Sequence, residues 1–293
     1  MKIHLSLFSL LACATQASAA LTVFEGFNYA DGNLNTLNGG VGFKNAWGAA
    51  VDPVGATGTG IQAVESGRLR LAGNAAGGAQ IFRDLTSEYG TNGTTVWVGL
   101  KMIRTGTKDP VGGAPNGALT STGASFVRPL NFALFDVTST TAQSERLSFG
   151  EGTRTAGDTD TFGLLVSGSA TNAATVWSTA PVNADNLAVI RIDFGAGDVD
   201  TAWLWINPSL ASEPLIGTAG ATTTGNFTFD RVRPFAGNPN NQTINGVVTA
   251  VQGAEGFIDN FAVGTTFADV VPEPGAASMS LLALAGLMAR RRR

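Results

Sequence analysis

One Cys, one His and two Tyr are present in 293 residues, and only 14% of the chain is charged. A single Cys excludes a disulfide framework and a four-thiolate zinc site. Both rare residues, His4 and Cys13, fall within the first 20 positions. Once that segment is removed, Ser-His-Asp and Cys-His catalysis as usually built are excluded, and so is His-ligated zinc. Charge well below the roughly 25% of average proteins excludes a coiled coil and a highly charged disordered tail. Long amphipathic helical patterns are missing before residue 276. No convincing repeat is found at periods of about 20–50 residues.

Glycine is abundant, 38 residues in all, and hydrophobic residues make up 44%. That is enough apolar material for a sizeable core and many turns. Arg68-Leu69-Arg70-Leu71 alternates charge with apolar side chains, as a half-buried strand does. Thr94 to Ile103, Asn131 to Val137, Leu187 to Phe194, Thr201 to Ile206, Asn226 to Val232 and Glu255 to Phe267 are rich in β-branched and aromatic residues. Turn residues separate them, at Gly73-Asn74, Gly90 to Gly93, Gly195 to Asp198, Asn207-Pro208 and Gly237 to Asn240. Gly106 to Ala124 and Gly150 to Asp160 read as surface loops. Many short strands with frequent turns predict one all-β sandwich or barrel over residues 21–271.

The two ends read differently. Residues 1–20 carry Lys2, an apolar run from Ile3 to Ala14, then Ala17-Ser18-Ala19, the order of a secretory signal peptide. Cleavage is expected after Ala19 or Ala20. Leu10-Leu11-Ala12-Cys13 resembles a bacterial lipobox, the competing account, in which Cys13 is lipidated. At the other end, Pro272-Glu273-Pro274 precedes an apolar stretch from Ala276 to Ala289 and four closing arginines, Arg290, Arg291, Arg292 and Arg293. The stretch suits a helix, and a basic cluster beside it obeys the positive-inside rule. As a helix it spans about 21 Å, short of the roughly 30 Å of bilayer hydrocarbon, so the arginine stems must snorkel.

This tripartite tail, residues 272–293, resembles the PEP-CTERM sorting signal of Gram-negative bacteria. The resemblance implies an exosortase and the secretion machinery as partners. It also implies removal of the tail, a membrane contact limited to the transient helix, and a final place on the cell surface or in the extracellular matrix. Within the body, the expected hairpin around Gly195-Ala196-Gly197-Asp198 and the segment Phe257 to Gly264 resemble concanavalin A-like (LamG-like) jelly rolls. Phe24-Glu25-Gly26-Phe27-Asn28-Tyr29, Asn38 to Phe43 and Trp47 are similar to the start of exported PEP-CTERM proteins with such domains. The implied fold is a jelly-roll β-sandwich.

Few residues carry chemistry. Glu255 and Asp259 share a strand face, but their spacing does not match the paired acids of jelly-roll glycosidases. Tyr29 and Tyr89 are the only tyrosines left as bases for a lyase. Trp203 and Trp205 share a strand face and are candidates for stacking on sugar rings, with burial as the competing account, because Leu204 and Ile206 fill the other face. Asp193, Asp198 and Asp200 are candidates for a calcium loop, with turn chemistry as the competing account. No other cofactor is indicated.

The whole chain has 18 basic and 22 acidic residues. Without Lys2, Glu273 and the four terminal arginines, 13 basic and 21 acidic residues remain, a net charge of −8. So acidic a body argues against nucleic acid as a partner. The expected function is that of an exported structural or adhesive protein that binds extracellular polysaccharide and is not an enzyme. A glycan-active enzyme and an ice-binding protein stand as alternatives.

Overall fold

The computed structural model describes residues 21–48, 58–108, 129–137, 145–151, 161–166, 175–181, 184–197, 199–238, 240–244, 247–251 and 253–272. The expected leader with Ala19 and Ala20, the tail from Glu273 onward, and Asp198 lie outside these residues.

Strands are numbered along the chain: β1 (Leu21–Glu25), β2 (Gly32–Asn33), β3 (Ile61–Glu65), β4 (Arg68–Ala72), β5 (Ala79–Gln80), β6 (Arg83–Tyr89), β7 (Thr95–Lys108), β8 (Leu130–Phe135) and β9 (Glu145–Glu151). The second half adds β10 (Thr161–Val166), β11 (Thr175–Pro181), β12 (Asn186–Asp193), β13 (Asp200–Ile206), β14 (Ala221–Gly225), β15 (Phe229–Ala236), β16 (Asn240–Ile244), β17 (Val247–Val251) and β18 (Gly253–Gly264). Among the described residues they form a nine-stranded sheet, ordered β14-β13-β12-β7-β18-β4-β3-β2 with β1 also on β18. A seven-stranded sheet follows the order β11-β10-β9-β8-β15-β5, with β6 also on β15. The strands β16 and β17 pair only with each other.

Every pairing is antiparallel, and the connections cross between the two sheets. The body is therefore an all-β jelly-roll sandwich, as the strand pattern predicts. The central strand β18 has β7 along one edge. On its other edge β4 covers Glu255 to Ile258, and β1 covers Phe261 to Gly264. The expected hairpin at Gly195 joins β12 to β13, with Asp193 opposite Thr201.

Alternation places the core between the sheets. Leu69 and Leu71 of β4 point inward while Arg68 and Arg70 point out. Phe132, Phe149, Phe162, Phe229 and Phe261 fill the interior with Leu100, Leu134 and Ile190. The ion pair of Arg104 and Glu151 bridges β7 and β9 with both side chains buried.

A second cluster covers part of the outer face of the nine-stranded sheet. Trp97, Val189, Trp205 and Ala262 pack there against Phe267, Val270 and Val271. The sequence pattern extends the last strand to Phe267, but β18 stops at Gly264. Thr266 and Asp269 form a capping box that starts a one-turn helix, α1 (Phe267–Val270). Gly99 lets α1 lie close, because a Cβ at that position would collide with the carbonyl oxygen of Val270. Among the described residues no helix is long and apolar enough to cross a membrane.

The N-terminal segment is anchored by a buried carboxylate. Glu25, 1% exposed, accepts from the Phe27 N–H (2.9 Å), the Tyr29 hydroxyl (2.7 Å), the Trp47 indole N–H (3.0 Å) and Arg83 Nη1 (2.7 Å). Arg83 is equally buried and donates further to Asn45 O, Asn38 Oδ1 and Gly39 O, each at 2.8 Å. Its guanidinium lies over the Phe43 ring, 3.9 Å from the centroid. Each of its three nitrogens thus has a partner, which is the condition for burying such a charge at tolerable cost.

Candidate functional site

The outer face of the seven-stranded sheet is unusually polar. Asn131, Ala133 and Phe135 of β8 point away from the core, because Leu130, Phe132 and Leu134 point into it. Register places Arg231, Arg233 and Phe235 of β15 beside Phe135, Ala133 and Asn131. On the other side, β9 sets Glu145, Ser148 and Gly150 beside the same three residues. The face thus combines arginines, aromatic rings and small residues across adjacent strands.

Each arginine here has an acidic partner. Arg231 Nε donates to Asp84 at 2.5 Å, and Arg233 Nη2 donates to Glu145 at 2.7 Å. Arg146 Nη2 donates to Asp136 at 2.6 Å. The Arg233 guanidinium also lies 4.8 Å from the ring centroids of both Phe135 and Phe235. Two polar features stand out. The Asn131 side chain is 5% exposed, and its Oδ1 has no hydrogen-bond partner. Asp230 accepts the Val137 N–H at 2.9 Å. Burial pushes its carboxyl above the usual range; the Val137 N–H opposes this, while Asp136 and Asp84 add to the rise.

An open pocket of about 410 Å3 lies where the edges of the two sheets meet, between β11 of the seven-stranded sheet and β13 of the nine-stranded one. It is bounded by β11, the end of β13 and the segment from Pro208 to Gly220.

The residues singled out in the sequence fall in several places. Trp203 and Trp205 do share the outer face of the nine-stranded sheet, and Leu204 faces the core. Trp205 is 4% exposed and stacks on Trp97 at 5.8 Å, so its rings pack in the second cluster. Its edge still lines the pocket. Trp203 is half-buried beside the Arg191 guanidinium, at 5.7 Å.

Of the calcium candidates, Asp198 lies outside the described residues, and Asp193 and Asp200 point to different faces. Asp193 shares the outer face with Arg191 and is held by it at 2.8 and 3.0 Å, with the Thr95 hydroxyl at 2.8 Å. Asp200 is one residue out of phase with Thr201, its neighbour opposite Asp193, and points to the other face. There it accepts the backbone N–H groups of Gly195 and Phe227, at 3.0 and 2.7 Å. Among the described residues no group of three metal-ligating side chains forms.

Glu255 and Asp259 do lie on one face, but Glu255 is held by Arg70 at 2.7 Å and Asp259 binds the neighbouring Asn260. Burial raises the Asp259 carboxyl, opposed by the Asn260 N–H, Lys101 and Arg68. Tyr29 and Tyr89 are structural. Burial raises the Tyr29 hydroxyl, reinforced by its bond to Glu25. Burial likewise raises Tyr89, which donates to Thr22 at 2.8 Å. The sequence reading singled out none of Asn131, Asp230, Arg231 and Arg233. The signal that was present is the Arg-x-Arg pair at i and i+2, which a strand must place on one face.

No family model matches the chain, and no curated protein sequence does either. Solved structures do show likeness. An endo-β-1,4-glucuronan lyase from the fungus Trichoderma reesei is 15% identical over 87% of this chain and 99% of its own, with a TM-score of 0.42. An alginate lyase in complex with alginate trisaccharide is 12% identical over 84% and 100%, with a TM-score of 0.44. A lectin from Bauhinia forficata in complex with GalNAc is 11% identical over 70% and 89%, with a TM-score of 0.34. The expectation that the chain is not an enzyme is corrected by this finding, since polysaccharide lyases stand among its likenesses. That expectation rested on missing His and Cys, which removes only catalysis built on them. Likeness this distant assigns no activity to the chain.

Proposed function

We propose that this is an exported protein whose sandwich engages extracellular polysaccharide across the outer face of the seven-stranded sheet. The single observation that carries the reading is Asn131. It is a buried acceptor without a partner, on a face shared with two arginines and phenylalanine rings. An unsatisfied buried polar atom costs about 1–3 kcal/mol, so a small shift of the face that lets a ligand hydroxyl supply the donor is favoured. Sugar rings offer hydroxyls for the charged groups and C–H faces for the rings, the mixture that small-molecule sites use.

The export half of the reading rests on the leader and on the tail from Pro272 to Arg293. Cleavage at Ala19 or Ala20 sends the body out. An exosortase acting at the Pro272-Glu273-Pro274 tail then releases it to the cell surface or matrix, with the Arg290 to Arg293 cluster held on the cytoplasmic side until then.

Affinity electrophoresis against neutral and acidic polysaccharides tests the binding half. Arg233→Met and Asn131→Leu should abolish retardation in the gel while the fold is kept. Equal retardation of wild type and both variants refutes the face. Fractionation of full-length and Pro-Glu-Pro-deleted protein tests the sorting half, which fails if both reach one compartment unprocessed.

Asp230 favours a second reading, glycan cleavage on the same face. Its carboxyl is pushed toward the protonated form, while neighbouring Asp136 is held by Arg146. Environments that separate two carboxylates in this way are how acid and base roles are divided. Release of reducing ends or of unsaturated products, lost in Asp230→Asn, distinguishes an enzyme from a binder.

A further inference from the structure

We propose that the pocket beside Trp205, where the edges of the two sheets meet, is a second binding site for a neutral saccharide ring. The proposal takes only the class of its ligand from the polysaccharide reading and uses none of the residues of the other face. At about 410 Å3, the pocket is at the lower end of the roughly 300–1,000 Å3 of small-molecule sites.

Its walls suit an amphipathic ring. The Trp205 indole provides an apolar floor, and Pro214 and Leu215 an apolar wall. Leu215 is 74% exposed, a large apolar side chain left in solvent at the mouth of a cavity. The Trp205 indole N–H donates to the Thr218 hydroxyl at 3.2 Å, and that hydroxyl donates to Leu215 O at 2.7 Å. These bonds fix the segment against the floor, so the wall is built before a ligand arrives.

Hydrogen-bonding groups face the same space. Ser178 is 7% exposed, and its Oγ accepts the Ala180 N–H at 3.2 Å. As an acceptor in that bond, it keeps its own hydrogen to give to a ligand in the pocket it lines. Among the described residues, Glu213 is the only ionisable one in the lining. Arg191 Nη1 holds its Oε1 at 3.1 Å, which leaves Oε2 for hydroxyl donors. One carboxylate, with no basic side chain among the described lining residues, disfavours uronates and phosphates and favours uncharged hydroxyls.

A body with two such separate sites can hold two polysaccharide strands and so bridge them. Calorimetry on the purified chain with cellohexaose, laminarihexaose, mannohexaose and an alginate hexasaccharide tests the pocket. At least one neutral hexasaccharide should bind. Thr179→Trp, which fills the pocket from its exposed rim, should weaken that binding at least tenfold, and Ser178→Ala severalfold, both with unchanged melting temperature. Arg233→Met should leave it intact. Neutral binding that survives both pocket substitutions overturns the proposal, and so does the absence of any neutral binding. Loss on Arg233→Met alone overturns the pocket and upholds the other face. If no hexasaccharide binds and no polysaccharide retards the protein, both readings fall.

Discussion

The Glu25–Arg83 pair gives the sharpest prediction about the fold. Glu25→Ala removes one carboxylate and strands four donors: the Phe27 N–H, the Tyr29 hydroxyl, the Trp47 indole and Arg83 Nη1. The guanidinium remains 1% exposed with its charge uncompensated. Breaking a buried pair from one side costs about 3–5 kcal/mol. In a domain of about 150–250 residues each kcal/mol moves the melting temperature by about 2–4 °C, so a drop of about 6–20 °C is expected.

Calorimetry and urea unfolding measure it, with the midpoint lowered and the slope m kept. Glu25→Gln should rescue little, because its amide nitrogen presents hydrogens to groups that are themselves donors. Glu25→Leu with Arg83→Met removes both charges. It should therefore cost clearly less than the two single changes together, a coupling of opposite sign to the single losses. A Glu25→Ala loss below about 1 kcal/mol, or a strictly additive double variant, refutes the argument that this pair anchors residues 24–48.

Other consequences follow from particular contacts. Gly99→Ala pushes α1 off the sheet at Val270 and should cost about 1–3 kcal/mol, with red-shifted fluorescence as Trp97 is exposed; an unshifted spectrum counts against the packing. Asp200→Ala leaves the Gly195 and Phe227 N–H groups without their charged acceptor and should lower stability by about 2 kcal/mol or more, read by urea unfolding. Millimolar calcium should not change the melting temperature, because Asp193 and Asp200 lie on opposite faces with their oxygens engaged; a rise refutes that account. The Asp230 carboxyl is raised in the fold, so the folded chain binds more protons than the unfolded one above about pH 4. Its contribution is present below the unfolded value and is lost as pH rises through the folded one. Asp230→Asn keeps an oxygen for Val137, so its stability relative to wild type should climb through that window; a flat difference refutes the shift.

Strands whose alternation was clean were legible in the sequence. Arg68 to Leu71 became β4 with the expected faces, and the Gly195 hairpin formed between the expected strands. Strands β9 to β11 escaped notice because Glu145 to Glu151 and Thr175 to Pro181 mix polar and small residues without a clear period. In β9, Glu145 and Ser148 lie on the outer face while Leu147 and Phe149 face the core, and in β11 Ser178 lines the pocket, so polar residues of the two candidate sites interrupt the apolar pattern. The helix α1 was hidden for another reason. Phe267 reads as the end of an apolar strand, and only the Thr266–Asp269 capping box reveals the change of period. Asn131 and Asp230 had no signal at all, since their significance lies in burial and in neighbours distant along the chain.

The N-terminal resemblance takes on a different meaning in the structure. Among the residues similar to the start of exported jelly rolls, Phe24 to Tyr29, Asn38 to Phe43 and Trp47, it is Glu25, Phe27, Tyr29, Asn38, Gly39, Phe43 and Trp47 that belong to the Glu25–Arg83 network. Their common task is to bury one guanidinium and to lock the entering chain against β6. A resemblance carried by such residues therefore reports the fold and is silent about the ligand. The two candidate sites use none of these residues: one lies on the outer face of the seven-stranded sheet and the other where the edges of the two sheets meet. Function in this chain was thus least visible where the sequence was most familiar. Substitutions in the network should change stability with little effect on sugar affinity in the protein that still folds, whereas Arg233→Met and Thr179→Trp should do the reverse. A network variant that folds fully at low temperature yet has lost saccharide binding contradicts this separation.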